Sequence, residues 1–263
     1  SGEAHSRADI TLPGSQTEYL RALAATGKPI VTIIMAGRPL AIPEECQLSR
    51  AVLYSFHPGT MGGPALVNVL SGDAAPGGRL PVCMPRMSGQ MPLYYACKST
   101  GRPTSEMTLI DDIPLEAGQT STGCTSFFLD AGYEALFPFG YGLGYTTFEY
   151  GIPVLSATEM TADGSIDISC TVTNTGKRAG SDVVQLYVRD PVASLARPLK
   201  ELKAFEKITL APGESRTVSF TLPASALAFH NAKGEAVIEA GAFQLWVDNS
   251  SACKSKPVEF RIK

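Results

Sequence analysis

At 263 residues the chain is long enough for two modest domains, each able to bury a core. It is 44% hydrophobic and 18% charged, and its formal net charge of −3 supplies none of the basic surface that nucleic-acid binding draws on. No apolar run approaches the roughly 20 residues that span a bilayer as a helix, so neither nucleic acid nor membrane is an expected partner.

Ser1-Gly2-Glu3 reads as internal sequence rather than a leader, and a cleaved or truncated start is expected. Tyr19, Leu20, Leu23 and Ala24 fall at helical spacing and predict a helix over 16–25, stopped by Gly27-Lys28-Pro29. The apolar run 30–35 predicts a strand buried on both faces, as in a parallel sheet covered by helices. A second strand is expected over 51–56, and Gly62-Gly63-Pro64 opens a helix running through Leu70. This helix, strand, strand, helix order suits a layered α/β sandwich with a partial, parallel-rich sheet. Two or three strands are few for such a domain, so earlier strands are expected upstream of Ser1.

Residues 85–135 lack periodicity and are rich in Gly, Pro, Ser and Thr, a long loop of the kind that carries function or wraps another surface. Beyond it the pattern changes. Segments 166–173, 183–188, 217–222 and 243–247 alternate apolar and polar residues and are separated by turn signals such as Asn174-Thr175-Gly176 and Ala211-Pro212-Gly213-Glu214. Such spacing predicts an antiparallel β-sandwich. The expected division is therefore an α/β domain over 1–149 and an all-β domain over 150–263.

Chemistry-bearing residues concentrate at the start. Glu3, His5, Arg7 and Asp9 place two carboxylates, an imidazole and a guanidinium within nine residues. Taken alone, they read as a polar loop before a helix. Asp111-Asp112 reads as a solvated turn, and none of His5, His57 and His230 lies in a nucleophile-elbow context. The run Gly140-x-Gly142-x-Gly144 does not lead from a strand into a helix, so its glycines serve tight turns rather than a phosphate. Arg38 and His57 each follow a predicted strand, where α/β sheets border ligand crevices, but local pairing for Arg38 and turn capping for His57 are the preferred readings. The aromatics Phe127, Phe128, Tyr133, Phe137, Phe139 and Tyr141 could stack on sugars but suit packing against the sandwich. The six cysteines lack CxxC spacing. Cys170 is expected to face a core, and Cys97 and Cys124 bracket a loop-rich stretch and could form a disulfide. Asn249-Ser250-Ser251 is a glycosylation sequon, which fits an exported protein.

Two longer runs carry a family resemblance. Residues 69–81, containing Ser71-Gly72-Asp73 and Gly77-Gly78-Arg79-Leu80-Pro81, and residues 135–148, containing Phe137-Pro138-Phe139-Gly140-Tyr141-Gly142, resemble the C-terminal half of family 3 glycoside hydrolases. Gly37-Arg38-Pro39-Leu40, Pro58-Gly59-Thr60 and Gln90-Met91-Pro92-Leu93-Tyr94-Tyr95 extend the likeness. Val172-Thr173-Asn174-Thr175-Gly176, Val184-Gln185-Leu186-Tyr187-Val188 and residues 198–207 resemble the fibronectin type III-like module that ends many members. Met61 and Gly144 depart from the pattern, standing where an acidic residue and a serine are usual.

The resemblance implies the C-terminal part of a retaining, exo-acting β-glycosidase. The run 2–9 with Leu12-Pro13-Gly14 looks like the family segment bearing the acid/base glutamate, which assigns that role to Glu3. The nucleophilic aspartate of the family lies in a preceding (β/α)8 barrel, no segment of which is recognisable here. The expected partners are thus a β-glycoside or oligosaccharide substrate and an N-terminal barrel domain or chain, with a homodimer left open. No metal or organic cofactor is implied, and secretion or periplasmic residence is expected. A carbohydrate-binding or scaffold module on the same fold is the alternative.

Overall fold

Helix α1 (Gln16–Ala24) has an acidic Glu18 in its first turn and a basic Arg21 in its last, each placed favourably against the helix dipole. Gly27, at φ 72°, ends it by donating its N–H to the Ala24 carbonyl at 3.0 Å, a left-handed stop that glycine takes without strain. The computed structural model describes residues 4–99, 107–118 and 127–263. They form two units. The first takes the described residues within 1–71, 82–93 and 100–137, and the second 72–81, 94–99 and 138–263.

In the first unit β1 (Val31–Ile34) pairs in parallel with β2 (Ala51–Tyr54), from Val31 opposite Ala51 to Ile34 opposite Tyr54. A parallel pair needs a crossover. Here it contains α2 (Pro43–Leu48), with proline at its start and Glu44 and Glu45 in its first turn. The element order is therefore helix, strand, helix, strand, helix, closing with α3 (Gly62–Ser71). Six residues are too few for helical periodicity to register in the sequence, which is why α2 is missing from the predicted order. The expectation that β1 is buried on both faces is also corrected. Val31 is 50% exposed and Met35 66%, and an apolar groove of about 300 Å³ runs along 30–35 beside Tyr19, Leu20 and Leu23 of α1. Among the described residues β1 has a strand neighbour on one side only, and α1 covers its open flank incompletely.

The second unit is a sandwich of two sheets. One holds β3 (Phe148–Tyr150) and β4 (Val154–Leu155), both paired with β6 (Ser165–Asn174), whose other edge takes β9 (Ser215–Pro223). The other runs in the order β5 (Glu159–Met160), β13 (Val258–Ile262), β12 (Gly241–Asp248), β7 (Gly180–Arg189), β8 (Glu201–Leu210). A small hairpin of β10 (Phe229–His230) and β11 (Ala236–Val237) stands apart from both. Alternate residues of the long strands meet in one core: Ile166, Ile168, Cys170 and Val172 from β6, Val184, Leu186 and Val188 from β7, and Phe243, Leu245 and Val247 from β12. Cys170 faces this core, as its place in the alternation predicts.

The opposite face of β7 is buried as well, and it is clad by segments distant in sequence. Tyr187 and Trp246 pack with Tyr95 and Phe139, whose rings stack at 4.3 Å. Gly140, at φ 80°, lies so close to Gln185 that a side chain there would collide with it. The Gln185 amide donates to the carbonyls of Gly140 (3.3 Å) and Asn249 (2.7 Å) and accepts from the Tyr187 hydroxyl at 2.6 Å. A β-carbon on Gly142 would come within 2.7 Å of the Gly78 carbonyl. The glycines of this run thus permit close backbone approach, the turn role read from the sequence.

Candidate active-site segment

The described chain begins at Ala4, which adopts φ 59°, an uncommon conformation for a residue with a side chain. Glu3, to which the sequence resemblance assigns the acid/base role, lies outside the described residues. What the structure does show is how the stretch immediately after it is held.

Asp9 organises that stretch. Its Oδ1 accepts the Thr11 N–H (3.0 Å) and the Ser88 hydroxyl (3.0 Å), and its Oδ2 accepts the Thr11 hydroxyl (2.9 Å). These donors, the Thr11 N–H foremost, hold the Asp9 carboxyl below the usual carboxylate range. Ser88 completes the link by accepting the Ile10 N–H at 3.0 Å. The Ile10 side chain is buried, and its carbonyl accepts the Ala41 N–H at 2.9 Å. The segment is therefore anchored to the loop after β1 and to the turn around Ser88.

Arg38 supplies a third anchor. It lies in the loop beyond the C-terminal end of β1, and its Nη1 donates to the Arg7 carbonyl at 2.8 Å, across 31 residues of sequence. Its own carbonyl accepts the Tyr54 hydroxyl at 2.5 Å, from the last residue of β2. Burial pushes that hydroxyl up to about 12, so it remains a donor through the physiological range. Next to Arg38, Gly37 lies against the His57 ring so tightly that a β-carbon would overlap it. Phe56, at φ 50°, makes the turn that leads into His57. Of the two residues singled out by their positions after strands, His57 packs against Gly37, the residue before Arg38. Local pairing is not what occupies Arg38: its partner is the main chain of the segment that follows Glu3.

The other sequence candidates fall elsewhere. Asp111 and Asp112 are exposed in a single 3-10 turn, as a solvated turn predicts. Phe128 and Tyr133 are about half exposed, whereas Phe139 packs in the sandwich unit. Cys97 is exposed and carries a free thiol, and Cys124 lies outside the described residues. Ser250 and Ser251 of the sequon are buried. Among the described residues, no group of three or more His, Cys, Asp or Glu side chains is placed to hold a metal ion, and no helix is long and apolar enough to cross a membrane. Ser88 and Tyr54 were not legible as site residues, because each acts through one hydroxyl on distant groups and leaves no local motif.

A family model for the glycosyl hydrolase family 3 C-terminal domain matches residues 1–145, and one for a fibronectin type III-like domain matches residues 182–251. A periplasmic beta-glucosidase of Salmonella typhimurium is 45% identical over 250 residues, which cover 95% of this chain and 31% of that protein. A beta-xylosidase of Formosa agariphila is 41% identical over 263 residues, 100% of this chain and 34% of that one. The beta-glucosidase from Listeria innocua in complex with glucose has a TM-score of 0.89 at 36% identity, over 99% of this chain and 34% of that one. The chain spans about a third of the length of these curated relatives.

Proposed function

Because this chain belongs to glycosyl hydrolase family 3, as its C-terminal domain followed by a fibronectin type III-like domain, we propose that it is the C-terminal part of a retaining β-glycosidase. In this reading it supplies the acid/base residue, Glu3, to an active site whose nucleophile belongs to an N-terminal barrel. The observation that carries the reading is the triple anchoring of residues 7–11 just beyond Glu3 by Ser88, Ala41 and Arg38. A loop with no demand on its position has no need of such ordering, which costs roughly 1–2 kcal/mol of backbone entropy per residue fixed.

Retaining hydrolysis needs two carboxyl groups about 5–5.5 Å apart. The first attacks the anomeric carbon and forms a glycosyl-enzyme ester while the second protonates the departing oxygen. The second, now ionised, then takes a proton from the water that cleaves the ester. Glu3 fills the second role in this scheme, so its loss has a diagnostic effect. In the complete glycosidase, Glu3→Gln is expected to lower turnover of aryl β-glycosides by about 100-fold or more, in the range general acid–base catalysis contributes. Azide, which attacks the glycosyl-enzyme without base assistance, is expected to restore part of that turnover and to release a glycosyl azide. Turnover at the parent rate, or a loss that azide does not relieve, overturns the assignment.

Terminal β-glucosides are the proposed substrates, with β-xylosides next, supported by the names of the relatives. Secretion or residence in the periplasm is proposed from the periplasmic relative, and a homodimer completes the proposal.

A further inference from the structure

We propose that Arg38 is a positioning residue for the acid/base glutamate, acting through the Arg7 carbonyl to fix the stretch on which Glu3 is carried; this rests on the assignment of Glu3. The geometry points to a clamp with two jaws. In one, Asp9 and Ser88 bind the N–H groups of Thr11 and Ile10 and the Thr11 hydroxyl. In the other, the Arg38 guanidinium takes the carbonyl of Arg7. Arg7 also turns its own Nη1 to the Thr11 carbonyl at 3.2 Å, tying the two jaws together.

Arg38 is suited to this by the rigidity of its own backbone. Pro39 follows it and restricts its conformation. Tyr54 holds its carbonyl from the end of β2, and Gly37 before it is packed against His57. A side chain that reaches 31 residues back from such a fixed base transmits the position of the strand ends to the segment. The carbonyl that Arg38 holds, that of Arg7, lies four positions after Glu3 in the sequence. That span is at most about 14 Å of extended chain, so freedom at Arg7 is freedom at Glu3. General acid catalysis requires the carboxyl within hydrogen-bond reach of the glycosidic oxygen, and a displacement of about 1 Å costs on the order of 100-fold.

A merely structural arginine and a positioning arginine differ in one measurable respect. Good leaving groups depart without a proton, and poor ones do not. In the complete glycosidase, Arg38→Met is expected to lower kcat/KM for an alkyl β-glycoside about 10-fold or more, while kcat/KM for a dinitrophenyl β-glycoside changes by less than about 3-fold. Arg38→Lys, which keeps one donor, is expected to recover part of the loss. Equal losses on both substrates, or none on either, overturn the proposal. Glu3→Gln is measured in parallel on the same pair. If it shows the leaving-group dependence and Arg38→Met does not, the acid/base assignment stands and the positioning role is refuted. If Glu3→Gln lacks the dependence, the assignment itself fails and the clamp loses its purpose. Should Arg38→Met not fold, Tyr54→Phe releases Arg38 from its carbonyl side and is expected to show the same discrimination at about 3-fold; its absence there refutes the clamp.

Discussion

Cysteines report directly on the environments that single residues occupy. Burial pushes the Cys170 thiol up to about 11 and the Cys253 thiol up to about 12, and Cys97 is exposed. Alkylation proceeds through the thiolate, so the buried thiols react slowly both for want of access and for want of charge. Treated with iodoacetamide near pH 8 in the native state, the chain is expected to take its label at Cys97, with Cys170 and Cys253 modified only in denaturant; peptide mass spectrometry reads the positions. Protection of Cys97 until a reductant is added would instead establish the Cys97–Cys124 bridge that the sequence allows. Residues of this kind differ in how legible they are. Cys170 was readable because its neighbours alternate in a long strand. Arg38 could be suspected from its place after a strand, but its partner is a main-chain carbonyl 31 residues away, and main-chain partners leave no trace in side-chain identity. The proposed role of Glu3 rests only on resemblance, since a glutamate in a polar run has no local pattern of its own.

At the scale of elements, Arg79 and Asp182 show how a loop is locked onto a strand. Both side chains are buried, and Arg79 brings Nε (3.1 Å) and Nη2 (2.5 Å) to the same Asp182 oxygen. The Val183 N–H donates to that same oxygen at 2.7 Å, and the Tyr150 hydroxyl donates to the other at 3.1 Å. Burial, and then the Asp182 charge, push the Tyr150 hydroxyl well above its ordinary value, which keeps it a donor. Removing one partner of such a pair leaves an uncompensated buried charge. Arg79→Met is accordingly expected to destabilise the sandwich unit by about 3–5 kcal/mol, and Arg79→Met with Asp182→Leu to regain most of that loss. Urea unfolding followed by the fluorescence of Trp246, the single tryptophan, measures both; a single-variant loss below about 1 kcal/mol would refute a structural role for the pair. The sequence marked Arg79 within its glycine-rich run but not Asp182, which precedes the alternating segment 183–188 although it shares a face of β7 with Val184, Leu186 and Val188. The same reliance on alternation found β6, β7, β9 and β12. It passed over β8, whose pairing with β7 is interrupted by a bulge between Leu186 and Tyr187, the five-residue β13, and the two- and three-residue strands, which are too short to show a period.

The two units of the whole molecule are built on very different amounts of cooperative structure. The sandwich joins ten-residue strands β6, β7 and β8 around one core of twenty buried side chains, from Met160 to Ile262. The first unit has a two-stranded sheet of four residue pairs, and its β1 flank opens on an apolar groove beside α1. Isolated strand pairs are marginal in water, and a sheet gains independent stability from further strands or a fully packed face. Local opening free energies follow buried contact and protected backbone hydrogen bonds. This polypeptide on its own is therefore expected to exchange the amides of β1, β2 and α1 at least 10-fold faster than those of β6, β7 and β12, as read by hydrogen–deuterium exchange at neutral pH. In the proposed longer protein with its N-terminal barrel, protection at 31–34 is expected to rise selectively if upstream chain packs along the free edge of β1. Equal protection of the two units in the isolated polypeptide would show that the short parallel pair and its helices already form a self-sufficient core. Unchanged exchange at 31–34 in the complete protein would show that the edge stays open to solvent there too. The first unit would in either case still present residues 7–11 on their anchors, because those tethers run to the turn around Ser88 and to the loop after β1, not to the strand edge.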